Sequence, residues 1–447
     1  MEMKVTLNRG LDLRLKGEVP AGAPTESVAA ARVAVSPVDY PGFQPKLDVK
    51  EGDPVKAGDP LMHDKVYEQI CLVSPVTGKV AEVVRGERRK ILRVVVEASA
   101  GAGENVGVAV PESSEAIIEA MQKSGVWALM RQRPYDIVPV PGKTPVNIFV
   151  TAFDSAPLAP DLTAMVAGKQ AEVEAGLKAL CSLTSGKVYV SKRADASLGV
   201  PAPAVAVEVA GAHPAGNAGV QAANIAPVNK GETIWTLDIT TVARLGELLL
   251  HGAPCWDTAV AVTGPDVKVP RLVKTAVGAS LKDVLDGDVA DNGHHHRIIA
   301  GNVLTGVHER ADGFLRYPYH QVTVIAEGDD VDEFMGWASL SPKKMSTSRS
   351  FLGWLMPRRK YAPDARLQGG RRAMIMSEVY DKVFPMDIMP EYLIKAIMSG
   401  DIDRMEQLGV YEVAPEDFAL CEYVDPSKLE LQKTVREGLD KLRKELE

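Results

Sequence analysis

Between Val49 and Leu61 the chain reads Val-Lys-Glu-Gly-Asp-Pro-Val-Lys-Ala-Gly-Asp-Pro-Leu, with a tight-turn signal at each Gly-Asp-Pro. Gly52 and Gly58 supply backbone conformations that a residue with a Cβ adopts poorly, so the chain must fold back sharply at both. A long helix cannot run through such a segment. A second turn-bearing segment follows at Ser74-Pro75-Val76-Thr77-Gly78-Lys79-Val80, and β-branched runs such as Val94-Val95-Val96 continue the pattern. Residues 1–110 are therefore expected to form a β domain of short strands. The Gly/Ala/Ser-rich stretch Ser99 to Gly107 reads as its closing linker.

The texture then changes three times. Over 111–253, Ser114 precedes an apolar-periodic helix (Ile117, Ile118, Met121), and buried-looking strands at Val146–Val150 and Lys187–Val190 flank a helix around Glu172–Cys181. Helix alternating with strand predicts a parallel sheet. Over 254–330, short strands with Gly turns surround one small helix, Leu281 to Leu285, which is α+β texture. Residues 331–447 become helical after a basic, aromatic loop between Trp337 and Tyr361. A terminal helix carries the stripe Val435, Leu439, Leu442 and Leu446. Ser427 with Glu430 reads as its capping box, and Glu437 with Lys441 as a favourable pair one turn apart.

Length and composition agree with this division. At 447 residues the chain exceeds one ordinary core, so roughly two to four domains are expected. With 46% apolar and 25% charged residues it is globular in composition, and a net charge of −8 argues against a general nucleic-acid binder. The most apolar stretch, Val200 to Ala212, is short and broken by Pro201, Pro203 and Glu208, so no membrane span is expected. The N-terminus lacks the apolar core of a secretory signal, which favours a cytoplasmic location. Cys71, Cys181, Cys255 and Cys421 stand far apart with no CxxC pair, and read as small buried hydrophobes.

A phosphate cradle needs a glycine-dense turn between a strand and a helix. Neither GxGxxG nor GxxxxGK[ST] occurs. The first helix leads instead into Ser124-Gly125-Val126-Trp127-Ala128-Leu129-Met130-Arg131-Gln132-Arg133-Pro134-Tyr135, where bulky Trp127 leaves backbone amides unable to close on a phosphate.

These segments carry family resemblances. The two β-turn segments together resemble a biotinyl/lipoyl-type flattened barrel. Asp64-Lys65 stands near the place of a lipoyl lysine, but the hairpin up to Pro75 is longer than a lipoyl hairpin, so an unmodified, solvated lysine is expected and a lipoyl-carrier reading fails. The domain order resembles that of the flavin subunit of respiratory complex I and of the C subunit of Rnf complexes. Those relatives carry a glycine-dense flavin loop at Gly125–Pro134, whereas here the loop is bulky. The later position reads Thr151-Ala152-Phe153-Asp154-Ser155-Ala156-Pro157, without their Asn and Glu. Gly-Val-Trp with Arg-x-Arg-Pro-Tyr, and Phe-Val-Thr-Ala-Phe-Asp, match the A subunits of Na⁺-translocating NADH:quinone oxidoreductases. The implied architecture is a biotinyl/lipoyl-like barrel, a Rossmann-like α/β domain without the flavin loop, a β-grasp domain and a helical, degenerate ferredoxin-like module.

The C-terminal region extends the likeness. A two-cluster ferredoxin module uses two Cys-x₂-Cys-x₂-Cys-x₃-Cys-Pro runs. Counting back from Pro385 and Pro426 places Met374, Ser377, Tyr380 and Phe384, then Pro415, Phe418, Cys421 and Asp425, at the ligand spacings. Of eight thiolates only Cys421 remains, so the fold is expected to be kept and the iron lost.

The resemblance implies a subunit that binds no cofactor or metal and is not catalytic by itself. It would belong to a complex that passes electrons from NADH through flavins and iron–sulfur centres to quinone, and that exports Na⁺. It would sit on the cytoplasmic face of the membrane against the B subunit, with quinone near that contact. The turn Tyr40-Pro41-Gly42-Phe43-Gln44 and the segment Arg133-Pro134-Tyr135 offer flat apolar walls beside polar groups, as a quinone head needs. Phe351, Trp354, Leu355 and Met356, beside Arg358, Arg359 and Lys360, read as a docking loop for a membrane partner or an anionic surface, with Pro357 ending any helix before the cations. Packing of these apolar residues on their own core is the alternative. The β-grasp region is expected to pack or dock rather than bind a ligand. His294-His295-His296 reads as a solvated loop tip, its neighbours offering only Asp291 at a ligand-like spacing. The rival functional reading is an Rnf-type flavin- and iron-containing electron-input subunit, against which the missing glycines and thiolates count.

Overall fold

A computed structural model describes residues 3–99, 107, 113–331, 341, 342, 344–347, 351–356 and 358–447. Most of the expected linker Ser99–Gly107, as well as Trp337 and Pro357, lies outside these residues.

The first two strands lie outside the barrel's sheets. Strand β1 (Met3–Thr6) and strand β2 (Thr25–Ser27) each join the sheet of a later domain. The strands of the barrel begin with β3 (Arg32–Val35). Its other strands are β4 (Pro45–Leu47), β5 (Pro54–Val55), β6 (Pro60–Asp64), β7 (Cys71–Val73), β8 (Gly78–Arg85) and β9 (Ile91–Ala98), in sheets ordered β3-β9-β8-β5 and β4-β6-β7. The two Gly-Asp-Pro turns make the same pair of backbone bonds to the second segment. Gly52 N–H donates to Val80 O (2.8 Å) and Val80 N–H to Asp53 O (2.9 Å), while Gly58 N–H donates to Ser74 O and Ser74 N–H to Asp59 O (both 2.8 Å).

The α/β domain contains helix α1 (Ser114–Lys123), strands β10 (Arg131–Arg133) and β11 (Asn147–Thr151), and helices α2 (Leu162–Met165) and α3 (Gln170–Ser182). Strands β12 (Lys187–Lys192) and β13 (Val205–Ala210), helix α4 (Ala218–Ile225), strand β14 (Ile234–Asp238) and helix α5 (Ile239–His251) complete it. The sheet order is β1-β13-β12-β11-β14-β10, parallel except for β10. Side chains alternate along β11, so Ile148 and Val150 pack in one core with α3, α5 and the barrel. Phe149 faces the other core, shared with α4 and the C-terminal helices. Gly176 and Gly246 allow α3 and α5 to cross closely, since a Cβ on Gly246 would lie 1.8 Å from Glu172 O.

The third domain has strands β15 (Asp257–Thr263) and β16 (Arg271–Ala276), helix α6 (Leu281–Leu285), and strands β17 (His296–Ala300), β18 (Val307–Glu309) and β19 (Gln321–Ala326). The sheet order is β18-β17-β19-β15-β16-β2. Helices α7 (Pro390–Ser399), α8 (Ile402–Gln407), α9 (Ala419–Val424) and α10 (Leu431–Leu446) form the C-terminal domain. Val435, Leu439 and Leu442 are fully buried, but Leu446 is exposed.

The capping box needs correction. Helix α10 starts only at Leu431, because Ser427 Oγ donates to Ala373 O (3.0 Å) and the Asp425 carboxylate holds the N–H groups of Ser427 and Leu429. Glu430 pairs instead with Arg371 and Lys433, and the Lys441 ammonium is 4.0 Å from Glu445.

Candidate functional site at the carboxyl ends of the parallel strands

In an open α/β sheet the ligand crevice lies where strand order reverses, beyond the carboxyl ends of the strands. Here that place is between β11 and β14. Thr151 Oγ1, at the end of β11, lies 2.9 Å from Phe153 O and 3.0 Å from Gly216 O, and accepts from Gln221 Nε2. Asp238, ending β14, caps α5 by accepting from Thr241 N–H (2.7 Å) and Thr240 Oγ1 (2.8 Å). Its other oxygen is 3.1 Å from His320 Nε2, which comes from the third domain. Burial opposes the Asp238 charge, but hydrogen bonds from His320, Thr241 and Thr240 outweigh it and hold the carboxyl below its usual range. Gln321 Nε2 donates to Pro157 O (3.1 Å), a second tie from the third domain to the loop after β11. A small cavity of about 20 Å³ remains beside Thr240, Arg244, Thr258 and His320, enough to admit water.

The seam continues into the barrel. Tyr40 stacks on Tyr317, with ring centroids 5.3 Å apart and planes 7° from parallel, and the Arg131 guanidinium lies over both rings. Arg131 Nη2 donates to Asp39 O (2.7 Å), and Arg316 pairs with the carboxylates of Asp39 and Glu309. Burial pushes the Tyr317 phenol up to about 12. Its hydroxyl donates to Leu129 O. These links leave no trace in the sequence, because partners in three domains have no local spacing to detect.

Of the two segments expected near quinone, the turn at 40–44 meets the chain just beyond Arg133-Pro134-Tyr135, at Ile137 and Val138. Val138 N–H donates to Pro41 O (2.8 Å), and Gly42, at φ +85°, has no room for a Cβ against Ile137. Their aromatic side chains diverge: Tyr40 and Phe43 are buried in the barrel-side core, and Tyr135 in the C-terminal core, edge-on to Tyr411.

The eight ligand-spaced residues separate into two groups. Tyr380, Phe384, Phe418 and Cys421 share one core, with the Phe384 and Phe418 rings 5.0 Å apart. Burial pushes the Cys421 thiol well up. Met374 packs against that core, Ser377 bonds to Glu391, Pro415 opens a 3₁₀ turn, and Asp425 organises the entry to α10. In the barrel, Asp64 is buried and accepts from Gln44, Val66 and Tyr67 N–H, fixing the hairpin at whose base exposed Lys65 sits.

The loop at 351–356 makes a 3₁₀ turn, with Gly353 buried and Trp354, Leu355 and Met356 exposed to 45%, 58% and 36%. Inside the turn lies buried Tyr361, its hydroxyl donating to Gly353 O (2.8 Å). Phe351 is half-buried beneath the Lys344 ammonium. Arg358 points into solvent, Arg359 folds onto Met356 and Tyr361, and Lys360 pairs with Glu18. Among the described residues no helix is long and apolar enough to cross a membrane.

Fold and site together define a multidomain α/β protein whose switch-point crevice is filled by its neighbouring β-rich domain. Family models match along the chain: "NqrA N-terminal barrel-sandwich hybrid domain" over 5–99, "NqrA second alpha/beta domain" over 112–254 and "NQRA C-terminal domain" over 259–310. The A subunit of the Na(+)-translocating NADH-quinone reductase of Klebsiella pneumoniae is 35% identical over 99% of this chain and 100% of its own length. The A subunits from Pasteurella multocida and Vibrio anguillarum are 35% and 37% identical over the same shares. The chain belongs to the A-subunit family of Na(+)-translocating NADH-quinone reductases.

Proposed function

We propose that this chain is a non-catalytic, cofactor-free subunit of a Na⁺-translocating NADH:quinone reductase, held on the cytoplasmic face of the membrane against the B subunit. The observation that carries the reading is the match to the A-subunit relatives along nearly the whole chain. In the complex, electrons pass from NADH through flavins and iron–sulfur centres of other subunits to quinone, and Na⁺ is exported. Three features support a chain without redox groups of its own: His320 and Gln321 standing in the switch-point crevice, bulky Trp127 in place of a glycine-rich loop, and aromatic side chains packed at former ligand spacings. The same features weigh against an Rnf-type electron-input subunit.

Trp354, Leu355 and Met356, with exposed Arg358 beside them, form the docking surface in this reading, and quinone lies near the seam where Pro41 and Gly42 meet Ile137 and Val138. The test is a pull-down of the tagged chain from solubilised membranes, with absorption spectra of the eluate and of the chain alone. The expected result is co-elution of membrane subunits carrying flavin absorbance, with none in the isolated chain. Stoichiometric flavin, or iron with sulfide, in the isolated chain contradicts the proposal.

A further inference from the structure

The histidine run at 294–296, by its sequence a solvated tip, has carboxylates brought to it from another strand. Strands β17 and β19 pair antiparallel with His296 opposite Ala326, and Glu327 N–H donates to His295 O (2.8 Å). Gly328 then turns at φ +79° and returns Asp329 and Asp330 over the start of β17. The turn is held from its other side as well, since Ala365 N–H donates to Ala326 O (2.9 Å). Backbone pairing thus fixes the approach, while the side chains stay at the surface.

His295 Nδ1 lies 3.0 Å from both Asp329 oxygens, and His295 N–H donates to Asp330 Oδ2 (3.2 Å). One donor atom from each of His295, Asp329 and Asp330 lies within 4.8 Å of the others. His294 Nδ1 is 3.1 Å from Asp330 Oδ2, and His296 is turned away to Asp266 (2.8 Å).

We propose that His295, Asp329 and Asp330 form a surface site for a divalent transition-metal ion of the zinc class. A tetrahedral ion with bonds of about 2.0–2.2 Å sets its donors roughly 3.3–3.6 Å apart. The 3.0 Å contacts need to open only slightly, and the widest separation closes through rotation of exposed side chains. Two carboxylates balance a divalent charge. An imidazole donor selects borderline ions over Na⁺, Mg²⁺ and Ca²⁺, which prefer oxygen donors. His294 orients Asp330 as an outer partner, and solvent takes the fourth position. The bound ion links the ends of β17 and β19.

The experiment uses the full chain without a histidine tag, stripped of metal, and titrates Zn²⁺ in competition with a chromophoric chelator. The expected result is one Zn²⁺ per chain, with affinity reduced about tenfold or more in His295→Asn and in Asp329→Asn, and unchanged in His251→Asn. Binding weakens as pH falls, because a metal-ligating imidazole must be deprotonated and protons compete with the ion for its nitrogen. A large excess of Mg²⁺ or Na⁺ leaves it intact. Absence of stoichiometric Zn²⁺, wild-type affinity in both variants, an equal loss in His251→Asn, or displacement by Mg²⁺ overturns the proposal. Histidine ring NMR of the unmutated chain gives a check independent of variant folding. Zn²⁺-dependent shifts at His295 support the site, and shifts confined to other histidines overturn it.

Discussion

Arg133 Nη1 lies 2.7 Å from Asp417 Oδ2, and both side chains are enclosed by protein. The pair ties edge strand β10 of the α/β sheet to the C-terminal domain. Arg133 Nη1 also donates to Glu412 O, and Asp417 Oδ2 accepts from Ala414 N–H (2.8 Å), so the two charges share their enclosure with backbone groups.

Removing Arg133 leaves the Asp417 carboxylate buried without its cation, whereas Arg133 itself has a second carboxylate, that of Glu416, 3.3 Å from its Nη2. Arg133→Met is expected to lower unfolding free energy by about 3–5 kcal/mol, and Arg133→Met with Asp417→Leu by clearly less. Urea unfolding of the three proteins measures this. A single-variant loss below about 1 kcal/mol, in the range of a surface pair, contradicts it.

Room for the Arg133 guanidinium comes from Gly219 on α4, where an added Cβ would lie 2.0 Å from Arg133 Cζ. Gly219→Ala must displace the guanidinium from its carboxylate, at a cost of about 1–3 kcal/mol. Helix propensity alone would make the same change mildly stabilising. The sign of the change in unfolding free energy therefore decides between clash and propensity.

His213 is buried with Nδ1 3.0 Å from Ser155 Oγ, and burial lowers its pKa from 6.5 to about 4 despite nearby Asp12. The unfolded chain therefore binds more protons between these values. Stability from the neutral imidazole is complete above about pH 6.5 and is lost as pH falls towards 4. The loss totals about 3 kcal/mol. Denaturant midpoints across this range should fall more steeply for the wild type than for His213→Gln. Parallel profiles contradict the assignment.

Local chemistry is readable where neighbours in sequence are neighbours in space. Gly52 and Gly58 adopt φ of +94° and +92°, as their turn signals imply, and Leu281 to Leu285 is the small helix expected there. Long-range choices are not readable. Nothing in Met3–Thr6 says that it will extend the α/β sheet beside β13 instead of joining the barrel. Ser427 has the spacing of a cap, but its hydroxyl goes to Ala373, which lies far away along the chain. His295 gains its carboxylates only through pairing of β17 with β19. The crevice between β11 and β14 is likewise filled from another domain, by His320 and Gln321.

If quinone lies near the Pro41–Val138 seam, volume-preserving changes should reach it without unfolding the chain. Phe43→Leu and Tyr135→Phe are expected to alter quinone-dependent turnover or inhibitor sensitivity of the assembled complex, with melting temperatures close to wild type. Unchanged kinetics in both assembled variants contradict quinone proximity.

Docking through the 351–360 loop rests on exposed Trp354, Leu355 and Met356 as apolar anchors, with Arg358 beside them. Aromatic and Met anchors commonly dominate interface energies, and a cation near an anionic surface adds about 1 kcal/mol. Because Trp354 and Leu355 are exposed, replacing both with Ala should leave the fold intact. The decisive measurement is co-purification of this double variant with the membrane subunits, alongside its melting temperature. Docking predicts a normally folded chain that no longer co-purifies. A normally folded variant that still assembles at wild-type stoichiometry would contradict it.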